Sequence, residues 1–161
     1  MSLRKVNTRD IPEDAWASPN GRFKGSSKSV SVALGRDNDS TDLMLRHPFD
    51  LEILRIAPGC TPYPFHSHAA QWEFYQVVAG RGVVRHADGT TPIEPGDAFL
   101  FTPGEAHTFT NDGSEDLVIN VIADNPINES TYYPDSEKWI VRSPERRVIR
   151  SEQLDYFDGE E

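Results

Sequence analysis

Twelve prolines and eleven glycines interrupt this 161-residue chain at short intervals. The runs between them are short and rich in Val, Ile, Phe and Leu. Proline removes a backbone donor and glycine weakens a helix interior, so this punctuation excludes long helices and predicts an all-β chain. The strands expected from it are Ser29–Leu34, Leu51–Ala57, Tyr63–His68, Glu73–Val78, Gly82–His86, Ala98–Phe101, His107–Asn111 and Leu117–Ala123. Turn signals separate them at Pro58-Gly59, Asp88-Gly89, Pro95-Gly96, Pro103-Gly104 and Asp112-Gly113, and Asp88-Gly89 is a pair that tight hairpins favour. Many short strands with no long helix between them suggest a sandwich or a barrel. In Leu51–Ala57, Leu51 and Ile53 share one face and Leu54 and Ile56 the other. Both faces therefore need cover, from flanking segments or from a second subunit.

The flanks are less regular. Residues 1–28 hold a helical turn expected near Pro12–Trp16, followed by a polar loop. Residues 124–161 begin with the turn-rich ADNPINESTYYPDSEKW and end in an acidic tail. Neither flank carries the pattern of a second domain, and the length fits one domain of ordinary size. Apolar residues make up 37% and aromatics 10%, enough for a folded core. No apolar run is long enough to span a membrane, and MSLRKVNTRD lacks the apolar centre of a signal peptide. A net charge of −10 repels phosphate backbones and argues against nucleic-acid binding. Cys60 is the one cysteine and cannot form an internal disulfide, so a reducing, cytoplasmic setting is expected. Cys60 itself is taken as a small packing residue.

The chain has only five histidines, and two of them fall in FHSHAAQWEFYQVVAG, residues 65–80. Side chains at i and i+2 share a face of a strand, so His66 and His68 point the same way if Tyr63–His68 is extended. Glu73 would face away on one unbroken strand. A turn through Ala69-Ala70-Gln71 corrects this by starting a new strand beside the first, with Glu73, Tyr75 and Val77 on one face. His107, after the turn Thr102–Glu105, begins a strand with Phe109 and Asn111 on its face. Three imidazoles and one carboxylate suit a divalent first-row metal: Fe, Mn, Ni, Co, Cu or Zn.

These residues resemble the cupin superfamily. Its first motif is a glycine, His-x-His, three or four residues, Glu, six residues and Gly. Here Gly59 is followed by His66-Ser67-His68, Glu73 and Gly80, with one extra residue between Gly59 and His66. The second motif runs through GDAFLFTPGEAHTFTN, from Gly96 through Pro103 to His107 and Asn111, again with one extra residue before the proline. YYPDSEKW is similar to the tail of some bacterial single-domain cupins. The resemblance covers roughly residues 50–123. It implies a double-stranded β-helix barrel over residues 29–123, between an N-terminal arm (1–28) and a C-terminal extension (124–161). It also implies His66, His68, Glu73 and His107 as metal ligands, with Asn111 structural.

Cupins include oxygenases, isomerases, decarboxylases and non-catalytic binding or sensor modules, so the fold does not choose the chemistry. Tyr75 is the nearest acid-base candidate. Arg55, Trp72, Phe99 and Phe109 are the candidate substrate-lining residues, with Gln71 beside the mouth; Arg55 qualifies only if its face is the lumen. The expected partners are a small chelating molecule and a second copy of the chain, through an exposed β edge at the expected strand Ser29–Leu34.

Overall fold

A computed structural model describes residues 3–142 and 145–160. Residues 1–2, 143–144 and 161, at the outer ends of the two flanks and inside the second, lie outside the described residues. The elements in order are β1 (Asp14–Ala17), β2 (Lys24–Ser29), α1 (Val30–Ala33), α2 (Leu43–Arg46), β3 (Phe49–Ile56), β4 (Ser67–His68), β5 (Glu73–Ala79), β6 (Gly82–His86), β7 (Gly89–Ile93), β8 (Ala98–Phe101), β9 (Thr108–Thr110), β10 (Leu117–Asp124), β11 (Ser130–Tyr133), β12 (Lys138–Val141) and β13 (Arg147–Ile149). A 3-10 turn, Pro134–Ser136, separates β11 from β12.

The strands form three antiparallel sheets, ordered β1-β2-β3-β10-β5-β8, β13-β12-β11-β4 and β7-β6-β9. A two-residue bridge between His66 and His107 seams the two smaller sheets together. The larger sheet contributes Leu54, Ile56, Tyr75, Val77, Leu117 and Ile119 to the core, and the opposite wall contributes Val84, Ile93 and Phe109. The protein is a double-stranded β-helix. Strand β5 shows how alternation builds it: Glu73, Tyr75 and Val77 are buried while Phe74, Gln76 and Val78 are exposed, as a period of two requires.

Four local expectations fail, the first being the strand expected over Tyr63–His68, of which only Ser67–His68 forms a strand. The segment expected as strand Ser29–Leu34 is instead the end of β2 followed by the short helix α1. Its alternating valines suit a strand, but the Ser31 hydroxyl accepts a hydrogen bond from Leu51 N–H at 2.8 Å and Ser31 O accepts from Arg36 N–H at 2.9 Å, which folds the chain back onto β3. The turn expected near Pro12–Trp16 is extended in β1, because the Trp16 indole donates to Pro62 O at 3.0 Å and its ring stacks on Tyr63. The strand opened by Glu73 does not run beside the His66–His68 segment. It pairs with β10 and β8, while β4 pairs with β11. Residues 14–29 thus add two strands to the larger sheet, and residues 130–149 add three to a smaller one.

Asn111, the last residue of the second motif, holds this frame from inside. It is fully buried; its amide donates to Ile56 O and Glu115 O at 2.7 and 2.8 Å, and its side-chain oxygen accepts from Gly113 N–H at 2.9 Å. Asn111→Ala leaves three backbone groups without this partner, the buried Ile56 carbonyl among them. It is expected to cost about 3 kcal/mol and to lower the thermal midpoint by about 10 °C, measured by calorimetry with the parent chain alongside. A change within 2 °C would show that water or a neighbour replaces all three bonds.

Candidate metal centre

Backbone pairing sets the first two side chains. His66 N–H donates to His107 O at 3.2 Å and His107 N–H to His66 O at 2.8 Å, so the two rings lie side by side with centroids 5.0 Å apart. In each ring Nδ1 faces a backbone carbonyl two residues earlier: Pro64 O at 2.8 Å for His66 and Glu105 O at 3.2 Å for His107. A carbonyl can only accept, so each Nδ1 carries a proton and each Nε2 is turned to the barrel interior, where it can offer a lone pair to a cation. Phe101 stacks flat on the His107 ring at 3.9 Å and fixes its plane. Glu73, at the head of β5, arrives from the opposite sheet.

Ligand atoms of His66, Glu73 and His107 all lie within 4.8 Å of one another. His107 Nε2 is 3.0 Å from Glu73 Oε2. A lone pair and a carboxylate oxygen at that distance repel unless a proton or a cation lies between them, so the donor chemistry fits a metal ion. His68 stands beside this group, with Nε2 at 3.5 Å from Glu73 Oε1.

The charge states fit as well. Burial, then the neighbouring His107 and His68, depress His66 to about 4, so it is neutral at pH 7. Burial alone would raise the Glu73 carboxyl; where no cation lies between them, a proton that His107 Nε2 shares with Glu73 and the fields of His68, His107 and His66 outweigh it and hold the group down to about 2. A neutral imidazole and an ionised carboxylate are the forms that bind metal. The Tyr75 hydroxyl lies 3.0 Å from both Glu73 Oε2 and His107 Nε2. Burial, then the Glu73 charge, push this phenol well above its usual value. Tyr75 is therefore a fixed hydrogen-bond donor at neutral pH and cannot serve as a base there.

A cavity of about 260 Å³ opens beside these groups, lined by Leu54, Tyr63, Tyr75 and Phe109 as well as His66 and His68. A second, more polar cavity of about 270 Å³ adjoins it and reaches Arg36, Arg46, Asp50, Gln71 and Glu129. Glu52, Glu73, Val121 and Arg142 border both. Arg36 and Arg46 are committed to the frame: Arg36 pairs with Asp50, and Arg46 donates to the carbonyls of Asn125 and Pro126. Arg142 makes no ion pair or hydrogen bond with the described residues.

Of the expected lining residues, Phe109 borders the inner cavity. Phe99 lies one layer behind, stacked on Tyr75 with centroids 5.6 Å apart. Arg55 is on the outer face of β3, paired with Glu13 and Asp116; the face it shares with Ile53 is not the lumen, because Leu54 and Ile56 occupy that side. Trp72 is half exposed and lines neither cavity; its backbone N–H is tied to Asp124. Sequence reasoning missed Glu52, Glu129 and Arg142. Glu52 was within reach of it, since it shares the inward face of Leu54 and Ile56.

The cupin-domain family profile matches residues 52–123. An oxalate-binding protein of Thermotoga maritima is 31% identical over 64 residues, 40% of this chain and 52% of that protein, so the match spans about half of the relative's length. Among solved structures, a protein of Acidithiobacillus ferrooxidans described provisionally as a sugar phosphate isomerase superposes with a TM-score of 0.77 at 25% identity, over 91% of this chain and 92% of that one. A sugar phosphate isomerase of the cupin superfamily from Silicibacter pomeroyi gives 0.76 at 23% identity, over 94% and 97%. With the fold, the histidine–glutamate cluster and the profile match in agreement, residues 52–123 form a cupin domain.

Proposed function

We propose that this cupin is a metal-dependent protein acting on a small, oxygen-rich anion, of the isomerase, decarboxylase or oxygenase type. The observation that carries this reading is that His66 and Glu73, of the His66–Glu73–His107 cluster, line one cavity together with Arg142. A divalent transition metal held by His66, His68, Glu73 and His107 would supply Lewis acidity toward a chelating substrate oxygen. Arg142 supplies a guanidinium for a carboxylate or phosphate. Glu52 is the group able to take and return a proton: burial raises its carboxyl despite a hydrogen bond from Ser27, and that is how a carboxylate is tuned toward acid-base work. Tyr75 donates to Glu73 and keeps that carboxylate oriented.

The competing reading is a binding module without turnover. The Thermotoga relative, by its name an oxalate-binding protein, favours it, as do the apolar and aromatic walls of the inner cavity. Titration calorimetry with oxalate and with a sugar phosphate, on metal-loaded and chelator-stripped protein, tests both. Binding of one of them is expected only in the loaded form, with Arg142→Gln weakening it by about 10-fold or more, the range of a charge-assisted contact. Equal affinity in both forms would sink the metal-dependent reading. Glu52→Gln then separates the two functions, because an enzyme keeps binding and loses turnover.

The chain is further proposed to act as a homodimer in the cytoplasm. Phe74, Leu100 and Ile122 are exposed and in register across β8, β5 and β10, Cys60 is an unpaired buried thiol, and no helix among the described residues is long and apolar enough to cross a membrane. Light scattering that finds only monomer at micromolar concentration would remove the dimer.

A further inference from the structure

His66 and His107 each orient their Nδ1 on a backbone carbonyl within their own turn. His68 has no such carbonyl. Its Nδ1 is buried and lacks a hydrogen-bond partner, and the group facing it is the Glu129 carboxylate, with Oε1 at 3.5 Å. That separation is slightly too long for a full hydrogen bond, and a small rotation of the imidazole closes it. On its other side His68 turns Nε2 toward Glu73. The ring therefore lies between a carboxylate in the metal cluster and a carboxylate behind it.

Glu129 is well placed to hold this position. It is only 3% exposed. Its Oε1 accepts from Ala69 N–H at 2.7 Å and its Oε2 from Ala70 N–H at 3.1 Å, which clamps the turn just after His68. The adjoining strand β11 pairs with β4 in the register Thr131↔His68, and Tyr133 at its end stacks on the His66 ring with centroids 5.8 Å apart. Two of the histidines thus lean on a segment beyond residue 123, where the cupin profile match ends.

We infer that Glu129 is a positioning residue for the metal centre: it accepts the Nδ1–H of His68, fixes the tautomer that presents Nε2, and makes the C-terminal extension part of the site. A carboxylate behind a ligating imidazole raises its basicity, and removing such a partner costs roughly 10–100-fold in metal affinity. This inference rests on the metal-binding reading above.

The test is the affinity for Co(II) and Zn(II), measured by competition with a chromophoric chelator, together with the visible spectrum of the Co(II) form. Glu129→Gln retains one acceptor for the turn and loses the negative charge. It is expected to bind roughly 10-fold or more weaker, to shift the Co(II) bands, and to melt within a few degrees of the parent. In a His68→Ala background the same change is expected to add little, because its effect runs through His68. Unchanged affinity and spectrum in Glu129→Gln would overturn the inference, and so would an equal loss with and without His68. A parent chain that binds neither ion would overturn the metal reading itself, which separates the two failures. If Glu129→Gln fails to fold, Glu129→Asp serves, with the same double-mutant comparison deciding.

Discussion

His66→Ala and His107→Ala proteins, purified without an affinity tag, are expected to hold no stoichiometric metal, while the parent chain holds about one divalent transition-metal ion. Each change removes one of three donor atoms that lie within 4.8 Å of each other. The loss should therefore exceed the roughly 10–100-fold attached to partners behind the ligands. Elemental analysis reads this directly. Neither change breaks the bridge between residues 66 and 107, which is made by backbone atoms. His107→Ala does leave a hole against Phe101, so His107→Gln is the companion variant that keeps most of the volume. Full occupancy in both alanine variants would show that the ion sits elsewhere. Occupancy lost only together with the fold would show that the histidines act as core residues.

The cluster of His66, Glu73 and His107 was legible from sequence because its parts are local. His66 and His68 are two residues apart, Glu73 heads an alternating strand, and His107 follows a tight turn; spacing of that kind survives without any knowledge of the sheet order. The way the parts meet was not legible. A hairpin returning from the His66–His68 segment looked sufficient to bring Glu73 round, yet Glu73 arrives on a strand held by β8 and β10. Glu129 illustrates the limit. It is one glutamate in a turn-rich stretch with no periodicity around it, and its place behind His68 arises from a β11–β4 pairing some 60 residues apart in sequence. Arg142 is similar, since its place at the cavity depends on where β12 ends.

Failures in the fold have the same origin. The β2 sequence KGSSKS carries almost no strand propensity, and pairing with β3 overrides that weakness. The apolar alternation of residues 29–34 suits a strand, but part of it is a helical turn whose Ser31 hydroxyl accepts from Leu51 N–H of β3. Arg55 was ambiguous for a further reason: both faces of β3 carry apolar residues, so period two identifies two faces without saying which one looks inward.

Gly80→Ala is expected to be the most damaging small substitution in the chain, and the other glycine of the first motif supplies the control. Both glycines have left-handed backbones, with φ at +77° for Gly80 and +74° for Gly59. An alanine pays for that conformation with about 1–2 kcal/mol at either place. Their surroundings differ. A Cβ on Gly59 meets nothing within 4 Å, whereas one on Gly80 would lie 2.2 Å from Asp116 O and 2.8 Å from Leu117 Cα. Those are backbone atoms at the start of β10, and Leu117 is fully buried in the core, so no flexible side chain can yield. Relief requires moving β10, the strand that joins β3 to β5. The total loss at Gly80 is expected to reach about 4–6 kcal/mol, among the largest effects of single substitutions and a large share of the ~5–15 kcal/mol that holds an ordinary domain together. Urea denaturation of Gly80→Ala, Gly59→Ala and the parent measures it. If the two variants lose the same amount, the left-handed backbone alone accounts for the motif glycine. A larger loss at Gly80 identifies the close passage of β10 as the reason this position has no room for a side chain.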